Sequence, residues 1–75
     1  MRFRFDLRFY DLDDNLCRCL DLYCTLFQAK KSFFELSFAF VGSRYRMLEL
    51  VKVGEGVCDT LICNAFNDIL YIYLF

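Results

Sequence analysis

Residues 2–10, with the sequence RFRFDLRFY, alternate between charged and apolar side chains. One side of this stretch carries three arginines and an aspartate, and the other carries phenylalanine and leucine. A period of two residues is typical of a half-buried β-strand, so the stretch predicts a strand with one face in the core. The alternation changes phase at Phe9 and Tyr10, which predicts a bulge or the end of the strand there.

The next stretch, residues 13–31, has an apolar pattern with the spacing of a helix. The residues that recur on one face are Leu16, Leu20, Tyr23, Cys24 and Phe27. Asp13 or Asp14 could cap the first turn, and Lys30 and Lys31 would lie in the last turn, where cations suit the free carbonyls. This pattern predicts the long helix of the domain.

Residues 32–41, SFFELSFAFV, alternate again and predict a second strand that ends at Gly42. Two alternatives exist for residues 44–53. Helix-favouring residues between Ser43 and Gly54 indicate a short helix, whereas the alternation around Tyr45 indicates a bulged strand. We favour the short helix.

Two strands are predicted after Gly54, over residues 57–66 and 69–75, with a tight turn at Asn67 and Asp68 between them. The order β-α-β-α-β-β indicates an α+β protein. The predicted architecture is a two-layer sandwich, a mostly antiparallel sheet with one long and one short helix on one face. Residues 1–12 are predicted to be an N-terminal strand extension, and residues 13–75 a single α+β domain.

The composition predicts that this chain has partners. Its 75 residues are 59% apolar and 20% aromatic, whereas a chain of this size buries only about 60% of its unfolded surface. The remaining apolar surface predicts contact patches, so we expect an obligate subunit that aggregates when it is expressed alone. A membrane span is not favoured, because it needs about 20 mostly apolar residues and Glu35 and Asp68 interrupt the best windows.

We expect no enzymatic activity, no cofactor and no small-molecule substrate. The chain has no histidine, and it carries no phosphate-binding loop, dinucleotide fingerprint or nucleophile motif. Its five cysteines lack the paired spacing of a zinc site, so we expect no metal. We interpret them as small buried hydrophobic residues, with a metal shared with a partner chain as the alternative: Cys17, Cys19, Cys24, Cys58 and Cys63.

Basic residues are the remaining functional signal. A few cations on one surface are enough to position a protein on RNA phosphates. The predicted RNA-binding residues are Lys30, Lys31, Arg44, Arg46, Arg2, Arg4 and Arg8. The alternative is an ordinary solvated face, and the net charge of −1 argues against independent nucleic-acid binding.

Several motifs occur in an order that resembles a known family. They are AKK at 29–31, Gly42 with the following arginines, EGV at 55–57 and the final apolar strand. The resemblance, over residues 13–75, is to the carboxy-terminal domain of ribosomal small-subunit protein three. It implies a subunit of the ribosomal head that contacts ribosomal RNA and neighbouring proteins. Asp14 and Asn15 stand where the family has a basic cluster, so contact with messenger RNA is not implied.

Residue usage indicates a location. Proline and histidine are absent, while phenylalanine, leucine, tyrosine and cysteine, which have U-rich codons, are abundant. This bias is typical of some mitochondrial genomes. We therefore expect a structural constituent of the mitochondrial small ribosomal subunit, in the matrix, with ribosomal RNA and other mitochondrial ribosomal proteins as partners. The alternatives are a small hydrophobic subunit of an inner-membrane respiratory complex, and an interaction protein or a spurious reading frame.

Overall fold

Five strands and one helix form the part of the chain that the structure, a computed structural model, describes. It describes residues 1–40 and 43–67, and the backbone alone of residues 71–74. The elements are β1 (Phe3–Asp11), β2 (Leu16–Cys24), α1 (Leu26–Ala39), β3 (Tyr45–Lys52), β4 (Thr60–Phe66) and β5 (Tyr71–Leu74). The α+β class is confirmed.

All strand pairs are antiparallel, in the order β2-β1-β3-β4-β5. Residues 1–12, which we expected to be an extension, supply β1, and β1 lies between β2 and β3. The predicted strand in residues 2–10 is confirmed, and so is its irregularity, because the β1–β2 register shifts between Phe9 and Tyr10.

The predicted long helix over residues 13–31 is wrong. Residues 11–15 form a hairpin turn instead, and most of the remainder is strand β2. The Asp11 carboxylate accepts hydrogen bonds from the backbone N–H groups of Asp13 at 2.9 Å and Asn15 at 3.0 Å. Asp14 adopts a positive φ of 63°, a left-handed conformation that aspartate tolerates in turns. The two aspartates that were predicted to cap a helix therefore build the β1–β2 turn.

Helix α1 begins two residues after the end of β2, and Thr25 caps it. The Thr25 hydroxyl accepts from the Gln28 backbone N–H at 3.2 Å, and the Gln28 side chain accepts from the Thr25 N–H at 3.1 Å. This reciprocal capping box satisfies two N–H groups that the first turn leaves free. The strand predicted over residues 32–41 is wrong, since residues 32–39 are the second half of α1.

One face of α1 packs against one face of the sheet. Ala29, Phe33 and Ser37, spaced four residues apart, are fully buried. The core that they enter includes Phe5 and Leu7 of β1 together with residues of β3 and β4. Ser37 is tolerated there because its hydroxyl donates to the Phe34 carbonyl oxygen at 2.8 Å.

The short helix predicted over residues 44–53 is wrong, and the strand alternative is correct. β3 pairs with β1 and β4, and its register shifts between Leu50 and Val51 on the β4 side. Gly54 does not end a helix; it begins the β3–β4 loop, where its N–H donates to the Asp59 carboxylate at 2.9 Å. A side chain at Gly54 would meet the carbonyl oxygen of Val57, so glycine allows the loop to close.

The last two predicted strands are confirmed where the structure describes them. β4 covers part of residues 57–66, and β5 pairs with it along Tyr71–Leu74. The predicted break at Gly42 and the Asp68 half of the predicted turn lie outside the described residues.

Candidate nucleic-acid interface

A groove of about 350 Å³ opens at the end of the sheet where β1 begins and where β2 and β3 end. It is lined by Arg2, Phe3, Arg4, Tyr23, Lys52, Val53, Gly54, Glu55 and Val57. Three of these side chains are cationic and one is anionic. The groove therefore has an excess of positive charge, although the whole chain has a net charge of −1.

Antiparallel pairing brings these distant residues together. Arg4 of β1 lies opposite Tyr23 of β2, and Phe5 of β1 lies opposite Lys52 of β3. The Val53 N–H donates to the Arg4 carbonyl oxygen at 3.0 Å, which ties the end of β3 to the start of β1. The groove is thus built on the paired ends of three strands, and residues of the β3–β4 loop complete its wall.

Two aromatic rings in the groove have different surroundings. The Lys52 ammonium lies 3.9 Å from the centroid of the Phe3 ring, within the range of a cation–π contact. Phe3 also packs edge-on against Phe5, with ring centroids 6.4 Å apart. Tyr23 is 65% exposed, so its ring is open to solvent beside Arg4. The groove therefore combines positive charge with an accessible aromatic surface.

An acidic depression of about 470 Å³ adjoins the groove and shares Arg4, Tyr23 and Val53 with it. Asp6 and Asp21 line it and lie directly opposite each other on β1 and β2. The hydrogen bond to Asp6, reinforced by the charge of Asp6, raises the pKa of the Asp21 carboxyl above its usual range.

Cys19 lies beside this carboxyl pair. One potential ligand atom from each of Asp6, Cys19 and Asp21 lies within 4.8 Å of the others, so the three could in principle contribute to a metal site. Burial, followed by the charges of Asp6 and Asp21, raises the pKa of the Cys19 thiol. A raised pKa disfavours the thiolate that a metal requires, so this cluster is poorly suited to a soft metal ion.

Arg8 was predicted to bind RNA, but its guanidinium is held by protein carboxylates. Nη2 lies 3.1 Å from Asp6 and 3.0 Å from Asp59. Burial lowers the pKa of Arg8, but the hydrogen bonds to Asp59 and Asp6 outweigh it and the net shift of the pKa is upward. The N–H of Gly54 and the Arg8 guanidinium lower the pKa of Asp59. Arg8 therefore links the β3–β4 loop to β1 through its ion pair with Asp59.

The opposite end of the sheet holds Arg44 and Arg46, also predicted to bind RNA. Arg46 Nη1 contacts the Asp14 carboxylate at 2.7 Å, and the Arg44 guanidinium lies 5.8 Å from the Tyr45 ring centroid. Asp11 pairs with Tyr45 at this end, seven residues along β1 from Arg4. At about 3.3 Å per residue, the two ends are roughly 23 Å apart.

Lys30 and Lys31 lie in the first half of α1, rather than in a last helical turn. Lys31 is exposed and Lys30 is half-buried. Burial raises the pKa of the Cys63 thiol to about 11, and the nearby charge of Lys30 lowers it to a smaller extent. The seven basic residues predicted as one RNA-binding set are thus distributed over α1 and both ends of the sheet.

The cysteine prediction is correct for one residue of five. Cys63 is buried in the core, Cys24 is half-buried, and the other three are exposed: Cys17, Cys19 and Cys58. The interpretation of all five as buried hydrophobic residues is therefore wrong. Cys17 and Cys19 are exposed because β2 lies at the edge of the sheet, and Cys58 is exposed because it lies in the β3–β4 loop.

Sequence reasoning placed Arg2 and Arg4 in the RNA-binding set but missed Lys52 and Tyr23. The available signal for Tyr23 was the alternation in LCRCLDLYC, which the helix interpretation overlooked. Lys52 had no comparable signal, because its place in the groove depends on which strands pair with β1.

These features define a class, a small α+β protein with a basic, aromatic-lined groove at one end of an antiparallel sheet. No family model, curated protein or solved structure matches the chain. Among the described residues, the helix is too short to span a membrane.

Proposed function

We propose that this protein is a structural, RNA-contacting subunit of a ribonucleoprotein, and that the particle is the small subunit of the mitochondrial ribosome. The observation that carries the proposal is the groove, which is lined by Arg2, Arg4 and Lys52 and by one carboxylate, Glu55. Cations grouped in this way suit the phosphates of an RNA backbone.

The groove alone provides few phosphate contacts, so the proposed subunit depends on protein neighbours as well. Exposed apolar side chains occur on several elements, and Phe27 of α1 is 78% exposed. β2 is an edge strand of nine residues that has no proline and carries only two charged residues, Arg18 and Asp21. A large assembly would cover both features with other chains.

The proposed domain is a two-layer sandwich, in which α1 forms one layer and the sheet forms the other. The face of β1 opposite the core carries Arg4, Asp6 and Arg8. A charged, partly ion-paired face of this kind suits contact with RNA or with a polar protein neighbour better than contact with lipid.

The choice of a mitochondrial ribosome rests on residue usage, together with the resemblance to ribosomal small-subunit protein three. That resemblance implies a helix followed by a strand in residues 13–41, whereas the chain forms a strand followed by a helix. The proposal, including a location in the head of the subunit, therefore depends more on the groove and the composition than on the order of elements.

The decisive experiment is sedimentation of a mitochondrial lysate after detergent treatment, with this chain and ribosomal RNA quantified in every fraction. We expect the chain to sediment with small-subunit RNA and to shift to light fractions after ribonuclease digestion. Migration with detergent-solubilised respiratory complexes, unchanged by ribonuclease, would overturn the proposal in favour of the respiratory alternative.

A charge-reversal variant tests whether the groove is needed for incorporation into the particle. We expect charge reversal at Arg4 (Arg4→Glu) to reduce the fraction of the chain in the particle, whereas reversal at Arg18 (Arg18→Glu) changes it less. Arg18 is a suitable control because it lies on β2 at the other end of the sheet, with its guanidinium 5.8 Å from the Phe9 ring centroid.

A further inference from the structure

We propose that the groove binds a single unpaired nucleotide, with its phosphate against Arg2 and Arg4 and its base stacked on Tyr23, which lies opposite Arg4 on β2. This inference rests on the proposed RNA-contacting function and specifies the form of RNA that the groove recognises. It follows from the arrangement of charge and aromatic surface in the groove, and not from the identity of any particle.

Tyr23 is the ring that is available for stacking. Phe3 has the Lys52 ammonium over its ring and the edge of Phe5 against it, whereas Tyr23 is 65% exposed and lines both the groove and the adjoining depression. A base stacks on such a ring through its π-face, which is accessible only when the nucleotide has left the helical stack.

The charges around Tyr23 fix the orientation of the nucleotide. Arg2 lines only the groove, Arg4 lines both the groove and the adjoining depression, and Asp6 and Asp21 line only the depression. A phosphate is attracted to the two arginines and repelled from the two carboxylates. The phosphate therefore occupies the groove, and the base extends over Tyr23 towards the depression.

The size of the groove agrees with this ligand. Its volume of about 350 Å³ lies at the lower end of the ~300–1,000 Å³ that is typical of small-molecule sites. Such a space fits one extruded nucleotide, whereas a duplex would present only its phosphates and sugars to the groove. The same charges would then act on a duplex without the contribution from Tyr23.

The test compares two RNAs and three forms of the chain. The full-length chain, kept in solution by fusion to a soluble carrier protein, is titrated into a fluorescently labelled single strand of about ten nucleotides and into a duplex of the same sequence. The three forms are the unchanged chain, Tyr23→Ala and Tyr23→Phe. Amide hydrogen exchange across β1 and α1 verifies that each variant retains the fold.

We expect the unchanged chain to bind the single strand more tightly than the duplex. Tyr23→Ala should weaken single-strand binding by about tenfold, as the loss of one stacking platform does in other single-strand binders, and should leave duplex binding unchanged. Tyr23→Phe preserves the ring and should bind the single strand within about twofold of the unchanged chain.

Equal affinity for both RNAs, combined with no effect of Tyr23→Ala, would overturn this inference and leave the proposed RNA contact intact. Equal losses in Tyr23→Ala and Tyr23→Phe would also overturn it, because the hydroxyl rather than the ring would then be responsible. Failure of the unchanged chain to bind either RNA overturns it as well, and only the sedimentation experiment then decides on the proposed function.

Discussion

The two ends of the sheet carry similar numbers of basic residues but differ in what opposes them. At the groove end, Arg2, Arg4 and Lys52 share a space with one carboxylate, Glu55, and Arg4 also lines the depression that holds Asp6 and Asp21. At the opposite end, beside the β1–β2 turn and called the turn end below, Arg46 is paired with Asp14, and Arg44 lies over the ring of Tyr45. A cation lies over an aromatic ring at both ends, Lys52 over Phe3 and Arg44 over Tyr45, so the ends differ in their carboxylates. The comparison teaches that the position of a cation relative to acids, rather than its presence, determines whether it can bind phosphate.

The turn end has a structural explanation for its charges. The ring centroids of Phe9 and Tyr45 lie 4.9 Å apart, and Arg18 and Arg44 each lie 5.8 Å from the centroid of one of the two rings. These arginines cover the apolar end of the β1–β3 pair with their long side chains. The groove end has no such explanation for Arg2, which is exposed and precedes the first strand.

The largest expected effect comes from the core that both ends share. Phe33 is fully buried between α1 and the sheet, so Phe33→Ala should lower the free energy of unfolding by about 3–5 kcal/mol. Pulse proteolysis of the carrier-fused chain in urea measures this change. The matched control is Phe27→Ala on the exposed side of the same helix, with an expected change of less than about 0.5 kcal/mol. Similar losses in both variants would show that α1 packs differently.

Charge reversal tests most directly which end of the sheet contributes to RNA binding. We expect Arg2→Glu combined with Arg4→Glu to weaken RNA binding by about 100-fold at low salt and to reduce the salt dependence of log K by about 1.4, the value for two lost single-strand contacts. Arg44→Glu combined with Arg46→Glu makes the same change in charge at the turn end and should have a much smaller effect. Fluorescence anisotropy at several salt concentrations measures both pairs.

A larger loss from the Arg44 and Arg46 variants would reverse the comparison and place the RNA contact at the turn end. Proteolysis in urea serves as the stability control, because the Arg46–Asp14 pair is exposed and is worth about 1 kcal/mol or less.

The sequence predicts β1 well, because its two-residue alternation has no competing interpretation. The stretch after Asp13 fits both periods: Leu16, Leu20 and Tyr23 have helical spacing, but Leu20, Leu22 and Cys24 also alternate. The edge position of β2 leaves much of it exposed and weakens the alternation that marks buried strands. Thr25 and Gln28 carried the decisive local signal for the start of α1.

The candidate site was less predictable than the fold. Arg2 and Arg4 belong to the alternating pattern that predicts β1, so the sequence alone assigns them to one face. Tyr23 and Lys52 join them only through the β1–β2 and β1–β3 pairings. Long-range register depends on the whole sheet, and a single sequence carries little information about it.

A smaller effect is expected at the junction of β2 and α1, next to Tyr23. Thr25→Ala removes the hydroxyl that accepts from the Gln28 N–H and should cost about 1 kcal/mol. We expect faster amide hydrogen exchange in residues 26–29 than in the unchanged chain, with little change in β3 at the turn end. Thr25→Ser preserves the acceptor and should behave as the unchanged chain does. Uniformly faster exchange throughout the chain would mean that this end has no independent local stability.

The smallest expected effect concerns the carboxyl pair beside the groove. The folded chain raises the pKa of Asp21 through its hydrogen bond to Asp6. A carboxyl with a raised pKa favours the folded state while it is protonated, so its contribution is present below its unfolded pKa of about 3.9 and is lost as the pH rises through the higher, folded value. At neutral pH, two like charges then lie opposite each other on β1 and β2, which is unfavourable.

Asp21→Asn should therefore stabilise the chain slightly at neutral pH and remove part of the stability that the unchanged chain loses as the pH rises above about 4 and through the raised pKa of Asp21. Asp13→Asn, which removes one exposed charge from the turn end, is the matched control. Urea unfolding across this pH range measures both variants. A loss of stability in Asp21→Asn at neutral pH would mean that the carboxylate is held by a favourable partner such as Arg4. A gain would show that the two acids beside the groove do not stabilise the fold at neutral pH.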